Sequence, residues 1–168
     1  NHPEADAGYV IMESIEYPVM SGSNTICVAT VLLETGMIDP VEPVTNLVLE
    51  SAAGLIPVEC LVSDGKVTSV RFTNQPAFIY ELDAHVEVEG VGTVRLDVAW
   101  GGMTFGIMDA RDFGFAITPD EGRDIANLGE KIKMAAAEQI KVQHPTNPNF
   151  PGITIVEFTL PAERIDGV

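Results

Sequence analysis

The chain has 168 residues and a formal net charge of −16, with nine basic residues against 25 acidic ones. That balance excludes a nucleic-acid partner, because displacing condensed counterions needs a cationic surface, and it opposes docking on an anionic membrane. Hydrophobic residues make up 46% and charged residues 20%, the composition of a folded protein. No apolar run approaches the roughly 20 residues that a bilayer helix needs.

In chain order, Gly8 to Ser14 reads as a buried strand, and Pro18 ends whatever Glu16 and Tyr17 begin. A helix is expected over about 24–35, with Ser21 or Ser23 as N-cap and Gly36 just past its end. Its body, Ile26 to Leu33, is apolar nearly all round, so the helix should be wrapped by protein on most sides. Val44 to Glu50 is a strand. Leu55 to Val62 and Lys66 to Thr73 flank Ser63-Asp64-Gly65, a hairpin signal. His85 to Glu89 and Thr93 to Ala99 flank Gly90-Val91-Gly92, a second hairpin with one wet face. The pattern then shifts at Ala99-Trp100-Gly101-Gly102, which sets a lobe boundary near Gly102, between 1–101 and 102–168. A second helix is expected over about 120–142, opened by Pro119, Asp120 and Glu121, with Ile125, Leu128, Ile132, Ala135, Ala136 and Ile140 on its inner face. A strand from Ile153 to Leu160 follows.

Cys27 and Cys60 sit in apolar stretches and read as two buried free thiols, which fits a reducing, cytoplasmic setting. His2, His85 and His144 are dispersed, so no metal site is expected. His85 reads as a strand-surface residue and His144-Pro145 as a helix stop. Asp109, Arg111 and Asp112 read as a solvated turn.

One segment can carry chemistry: Pro18-Val19-Met20-Ser21-Gly22-Ser23-Asn24-Thr25-Ile26. It brings small polar residues to a helix N-terminus, where unpaired N–H groups and the helix dipole favour an anion. Gly22 would let a ligand approach the backbone closely. The pattern suits a small carboxylate or phosphate ligand, but taken by itself it suits a plain helix cap better.

Met20-Ser21-Gly22-Ser23-Asn24-Thr25-Ile26 resembles the first active-site motif of the proline racemase family, whose usual form is Met-Cys-Gly-His-Gly-Thr-Ile. The resemblance runs on through Cys27 to Gly36, Glu42-Pro43-Val44-Thr45 and Leu49 to Ile56. It returns at Ala99-Trp100-Gly101-Gly102 with Phe105, at Ala135 to Gln139 and at His144-Pro145. It covers most of the chain in family order. It implies an α/β (α+β) fold of the two-lobe, diaminopimelate-epimerase-like kind, each lobe a curved sheet around a central helix. It implies no cofactor, a small imino-acid substrate, and removal of a proton from Cα; it leaves a homodimer open.

The family's racemases place one cysteine at each lobe's helix N-terminus, where a thiol's pKa is lowered. Ser21 stands at the first of these positions and Ser23 where the family has His. This resembles a subgroup linked to trans-3-hydroxy-L-proline dehydration and 4-hydroxyproline 2-epimerisation. Ser21 is then the expected acid/base residue. Gly22 and Ser23, with Asn24, are expected to bind substrate, the first two through their backbone N–H groups. The family's second motif, Asp-Arg-Ser-Pro-Cys-Gly-Thr-Gly, does not occur in the chain, so an internal slice of a longer protein is expected, inactive alone. The alternatives are a plain proline racemase and a non-catalytic small-carboxylate binder of the same fold.

Overall fold

The structure, a computed structural model, describes residues 2–14 and 16–162. They divide into two compact units, Asn1–Ala77 and Phe78–Val168.

In the first unit, β1 (Ala7–Gly8), α1 (Gly22–Glu34), β2 (Val44–Ser51), β3 (Gly54–Ser63) and β4 (Lys66–Phe72) follow one another. The sheet order is β1-β2-β3-β4, with β1 parallel to β2 and the other pairs antiparallel. Period-two alternation places Leu47 and Leu49 of β2 and Ile56, Val58, Cys60 and Val62 of β3 in one core with Ala29, Leu32 and Leu33 of α1. Leu49 and Ile56 are fully buried, so truncating either to alanine should cost about 2–5 kcal/mol. The expected β3–β4 hairpin turns at Asp64 (φ 53°) and Gly65 (φ 71°), the two left-handed residues that match strand twist. Glu34, the last residue of α1, accepts from Lys66 Nζ at 2.8 Å and from Val67 N–H at 3.0 Å. The Lys66 bond, followed by that from Val67, holds the Glu34 carboxyl below its ordinary range.

Three expectations change here. The strand expected over Gly8 to Ser14 is only Ala7–Gly8. Its parallel partners are Leu49 and Glu50, and β2 ends one residue later, so nothing remains to pair with. Beyond it Ile11 is buried while Val10 and Met12 are about three-quarters exposed, at 76% and 75%. Second, α1 starts at Gly22, two residues before Asn24, because Ser21 is the cap. Third, the sheet of this unit covers only one side of α1. Ile26 is 39% and Val31 52% exposed, and Cys27, expected to be buried, is exposed. The helix ends as expected, with Gly36 at φ 72° and its N–H on Leu33 O at 3.2 Å.

The second unit contains β5 (Phe78–Val88), β6 (Gly92–Trp100), β7 (Thr104–Asp109), α2 (Gly122–Gln139) and β8 (Ile153–Thr159), with sheet order β5-β6-β7-β8. The expected β-helix-β set after Gly102 is β7–α2–β8, whose strands pair in parallel. Its core joins Val86, Val94, Leu96 and Val98 to Met108, Ile132, Ala136 and Ile153.

Gly101-Gly102 is not the boundary between compact units. It is the turn from β6 to β7, across which Ala99 pairs with Phe105 and Trp100 with Thr104; the division falls after Ala77. β5 begins seven residues before His85. Two register shifts between Ile79 and Ala84 break the alternation that would have marked the strand. α2 stops at Gln139, short of Val142, with Ile140 already extended. The Gln139 amide turns to β5, accepting from Glu87 N–H at 2.9 Å and donating to Glu87 O at 2.8 Å. Pro119–Glu121 forms a 3-10 turn ahead of the helix. His85 lies exposed on β5. His144 does more than end a helix: its ring packs edge-on against Trp100 at 4.5 Å and against Phe150 at 5.0 Å. Asp109 caps a 3-10 helix at Ala110–Phe113 rather than a plain turn. The last stretch of the expected second lobe, 163–168, lies outside the described residues. Among the described residues no helix is long and apolar enough to cross a membrane.

Candidate active site

The four residues singled out from sequence, Ser21, Gly22, Ser23 and Asn24, form the N-cap and first turn of α1. Ser21 has extended backbone angles (φ −146°, ψ 124°), and its carbonyl accepts the first helical bond, from Thr25 N–H at 3.0 Å. Gly22 and Ser23 have no carbonyl four residues back inside the helix, so their N–H groups project from its positive end. Ser21 and Gly22 are half-buried, Ser23 and Asn24 exposed.

The side chains converge on one oxygen. Ser21 Oγ receives Asn24 Nδ2 at 2.9 Å and Asn24 N–H at 3.4 Å, and lies 3.2 Å from Ser23 Oγ. No carboxylate, imidazole or amine is among its hydrogen-bond partners in the described residues.

The turn is fixed from three sides. Met20, before the cap, is buried in the core. Val19 O accepts from Ala53 N–H at 3.0 Å, which ties the approach to the β2–β3 turn. Behind the cap, fully buried Thr25 donates its hydroxyl to Ser21 O at 2.8 Å and lies 2.6 Å from Tyr9 OH. Phe72 closes the fourth side. A Cβ built on Gly22 would sit 2.9 Å from Phe72 Cζ, so the ring lies directly against the first turn. Sequence reasoning missed Phe72 and Tyr9; each lies far from the motif, and only the sheet brings them to it. The one signal for Phe72 was a glycine at the first helical position, where glycine costs helix stability.

Cys60 is fully buried in β3, and burial pushes its thiol up; Cys27 points outward from the helix body. Among the described residues no three His, Cys, Asp or Glu side chains gather as a metal site.

The chain is similar to solved structures of known proteins. A hydroxyproline epimerase from Agrobacterium vitis, with bound trans-4-OH-L-proline, is 39% identical at a TM-score of 0.89, over 94% of this chain and 46% of that one. A probable proline racemase from Agrobacterium radiobacter K84, with bound carbonate, is 34% identical at a TM-score of 0.88, over 93% of this chain and 46% of that one. A methylitaconate-delta-isomerase shares the fold alone, at 19% identity and a TM-score of 0.50, over 82% of this chain and 45% of that one. The chain thus spans about half the length of the structures it matches. The proline racemase family model matches residues 1–167, and the chain belongs to the proline racemase family.

Proposed function

We propose that this chain supplies one wall of a cofactor-independent epimerase acting at Cα of a cyclic imino acid, with 4-hydroxyproline as the substrate, in a protein of its relatives' length. The observation that carries the reading is the first turn of α1. Ser21, Gly22, Ser23 and Asn24 meet there, in a chain 39% identical to a hydroxyproline epimerase. In this reading the substrate carboxylate sits on the Gly22 and Ser23 N–H groups. Fixed dipoles there stabilise the charge that develops when the α-proton leaves. Ser21 exchanges a proton on one face of Cα, and a base from the rest of the protein serves the other face.

A second reading, dehydration of trans-3-hydroxy-L-proline, is favoured by one observation. Ser21 has no basic partner among its described neighbours, and a serine without one is a poor base. Dehydration needs a good base on one face only. A reducing, cytoplasmic setting belongs to the same proposal and fits the two free thiols.

The test is Cα–H exchange in deuterated water, followed by proton NMR, with the full-length protein on 4-hydroxyproline and on trans-3-hydroxy-L-proline. Exchange with inversion of 4-hydroxyproline is expected, and Ser21→Ala should abolish the inversion. Formation of a ketimine from the 3-hydroxy substrate alone would select the dehydratase. No exchange with any imino acid would leave a non-catalytic carboxylate binder. The 168-residue chain alone should be inactive, because it carries one face of the site.

A further inference from the structure

We propose that Asn24 is a positioning residue that makes Ser21 a proton donor, an inference that rests on the epimerase reading. A serine hydroxyl has one hydrogen and two acceptor lone pairs. The Asn24 side-chain amide donates into Ser21 Oγ at 2.9 Å, and the Asn24 backbone N–H points at the same oxygen from 3.4 Å. These two donors occupy the lone pairs with which the oxygen would take up a proton. The hydroxyl hydrogen is left to be given away, to Ser23 Oγ at 3.2 Å in this structure or to a substrate seated on the turn.

Donors aimed at an oxygen also stabilise the anion it becomes, which lowers the cost of losing the proton. The thiol at this position in the racemases is acidic by its own nature. A serine hydroxyl is not, and the Asn24 donors narrow that gap. The proton balance is simple. A base on the opposite face removes the Cα proton and leaves a carbanion whose charge spreads into the carboxylate. Ser21 then gives its proton to the other face of Cα and becomes an alkoxide, held by the two Asn24 donors. After product leaves, the alkoxide recovers a proton from solvent and the opposite base gives up the one it took, so the cycle closes with no net proton change.

Asn24→Asp is the decisive variant. It is nearly isosteric, and an acid in the first turn favours the helix, but its carboxylate accepts hydrogen bonds and cannot donate them. In the full-length protein, Asn24→Asp should lower kcat for inversion of 4-hydroxyproline about 100-fold, the scale of a lost oxyanion donor, with KM changed less than about 3-fold as expected for an interaction used only in the transition state. Solvent exchange with retention, driven by the opposite base, should persist. Asn24→Ala should show the same split, with an unchanged thermal midpoint because the side chain is exposed. Unchanged or faster inversion in Asn24→Asp would overturn the assignment, since Asn24 would then act through its carbonyl oxygen or not at all. Equal loss of exchange and inversion would overturn it too. Absence of exchange in the unsubstituted protein would overturn the epimerase reading itself, and this inference with it.

Discussion

Tyr9 OH and Thr25 Oγ1 lie 2.6 Å apart, and the direction of their hydrogen bond follows from a third atom. Thr25 has a single hydroxyl hydrogen, and it goes to Ser21 O, 2.8 Å away. A carbonyl only accepts, so Tyr9 must donate to Thr25. A chain of donors thus runs from the segment after β1, through the buried threonine, to the residue that caps α1.

That chain gives the first prediction. Thr25→Val keeps the shape and removes both bonds, leaving Ser21 O and Tyr9 OH without this partner in a part-buried setting. The cost should be about 1–3 kcal/mol, read as a lower urea midpoint at constant slope. Thr25→Ser, which retains the hydroxyl, should recover most of it. A Thr25→Val protein as stable as its parent would mean that the cap is held by packing alone.

Gly22 and Phe72 give the second. Alanine is ordinarily the better helix residue by about 1 kcal/mol. Here its methyl would meet Phe72 Cζ at 2.9 Å, and the ring must swing away. Gly22→Ala is therefore expected to destabilise by about 1 kcal/mol, at the low end for an overpacked site. In a Phe72→Ala background the same change should be neutral or stabilising. Additive effects across the two sites would show that the ring yields freely.

Much of this was legible in the sequence, for local reasons. The Asp64-Gly65 turn demands two left-handed residues, and the flanking alternation leaves no other register. The 3.6-residue repeat of Ile125, Leu128, Ile132 and Ala136 fixed the inner face of α2. The site turn was legible because Ser21 is a good N-cap and the family motif lies on it. What escaped was set by distant partners. β5 is interrupted by bulges that erase its period, and β1 is cut short where β2 ends. The apolar circumference of α1 promised burial on most sides, yet one sheet face covers only the side bearing Ala29, Leu32 and Leu33. Hydropathy says that a residue suits the interior; it does not say which chain segment provides it.

The two cysteines make that difference measurable. Cys27 is exposed on α1 and Cys60 is fully buried in β3, with its thiol pushed up by burial. Thiolate is the reactive form, so burial suppresses reaction twice, through access and through ionisation. Native 168-residue chain should consume one equivalent of a thiol reagent quickly and a second only as it unfolds. Cys27→Ser should abolish the fast phase. Two fast thiols, or none, would contradict the exposed placement of this face of α1.

Acid should act on the second unit through Asp109. Its carboxylate accepts from Arg111 Nε at 3.0 Å and from Arg111 N–H at 2.9 Å. Those bonds hold its pKa down to about 2, against an ordinary 3.8, with the side-chain bond the larger cause. A carboxyl whose folded pKa is depressed stabilises the fold above its unfolded pKa, and that contribution is lost as pH falls through the folded value. The window is therefore about 4 down to about 2, set by the two pKa values. Asp109→Asn keeps a side-chain acceptor for the 3-10 helix but gives up the charge. Its urea midpoint should lie below that of the parent at neutral pH, and the two should converge as pH is lowered through that window. The difference is expected to be small, because the Arg111 side chain is largely in solvent, where ion pairs are screened. A gap that stays constant from neutral pH to pH values below about 2 would assign the effect of the substitution to something other than the Arg111 pair, since protonation removes that pair from the parent as well.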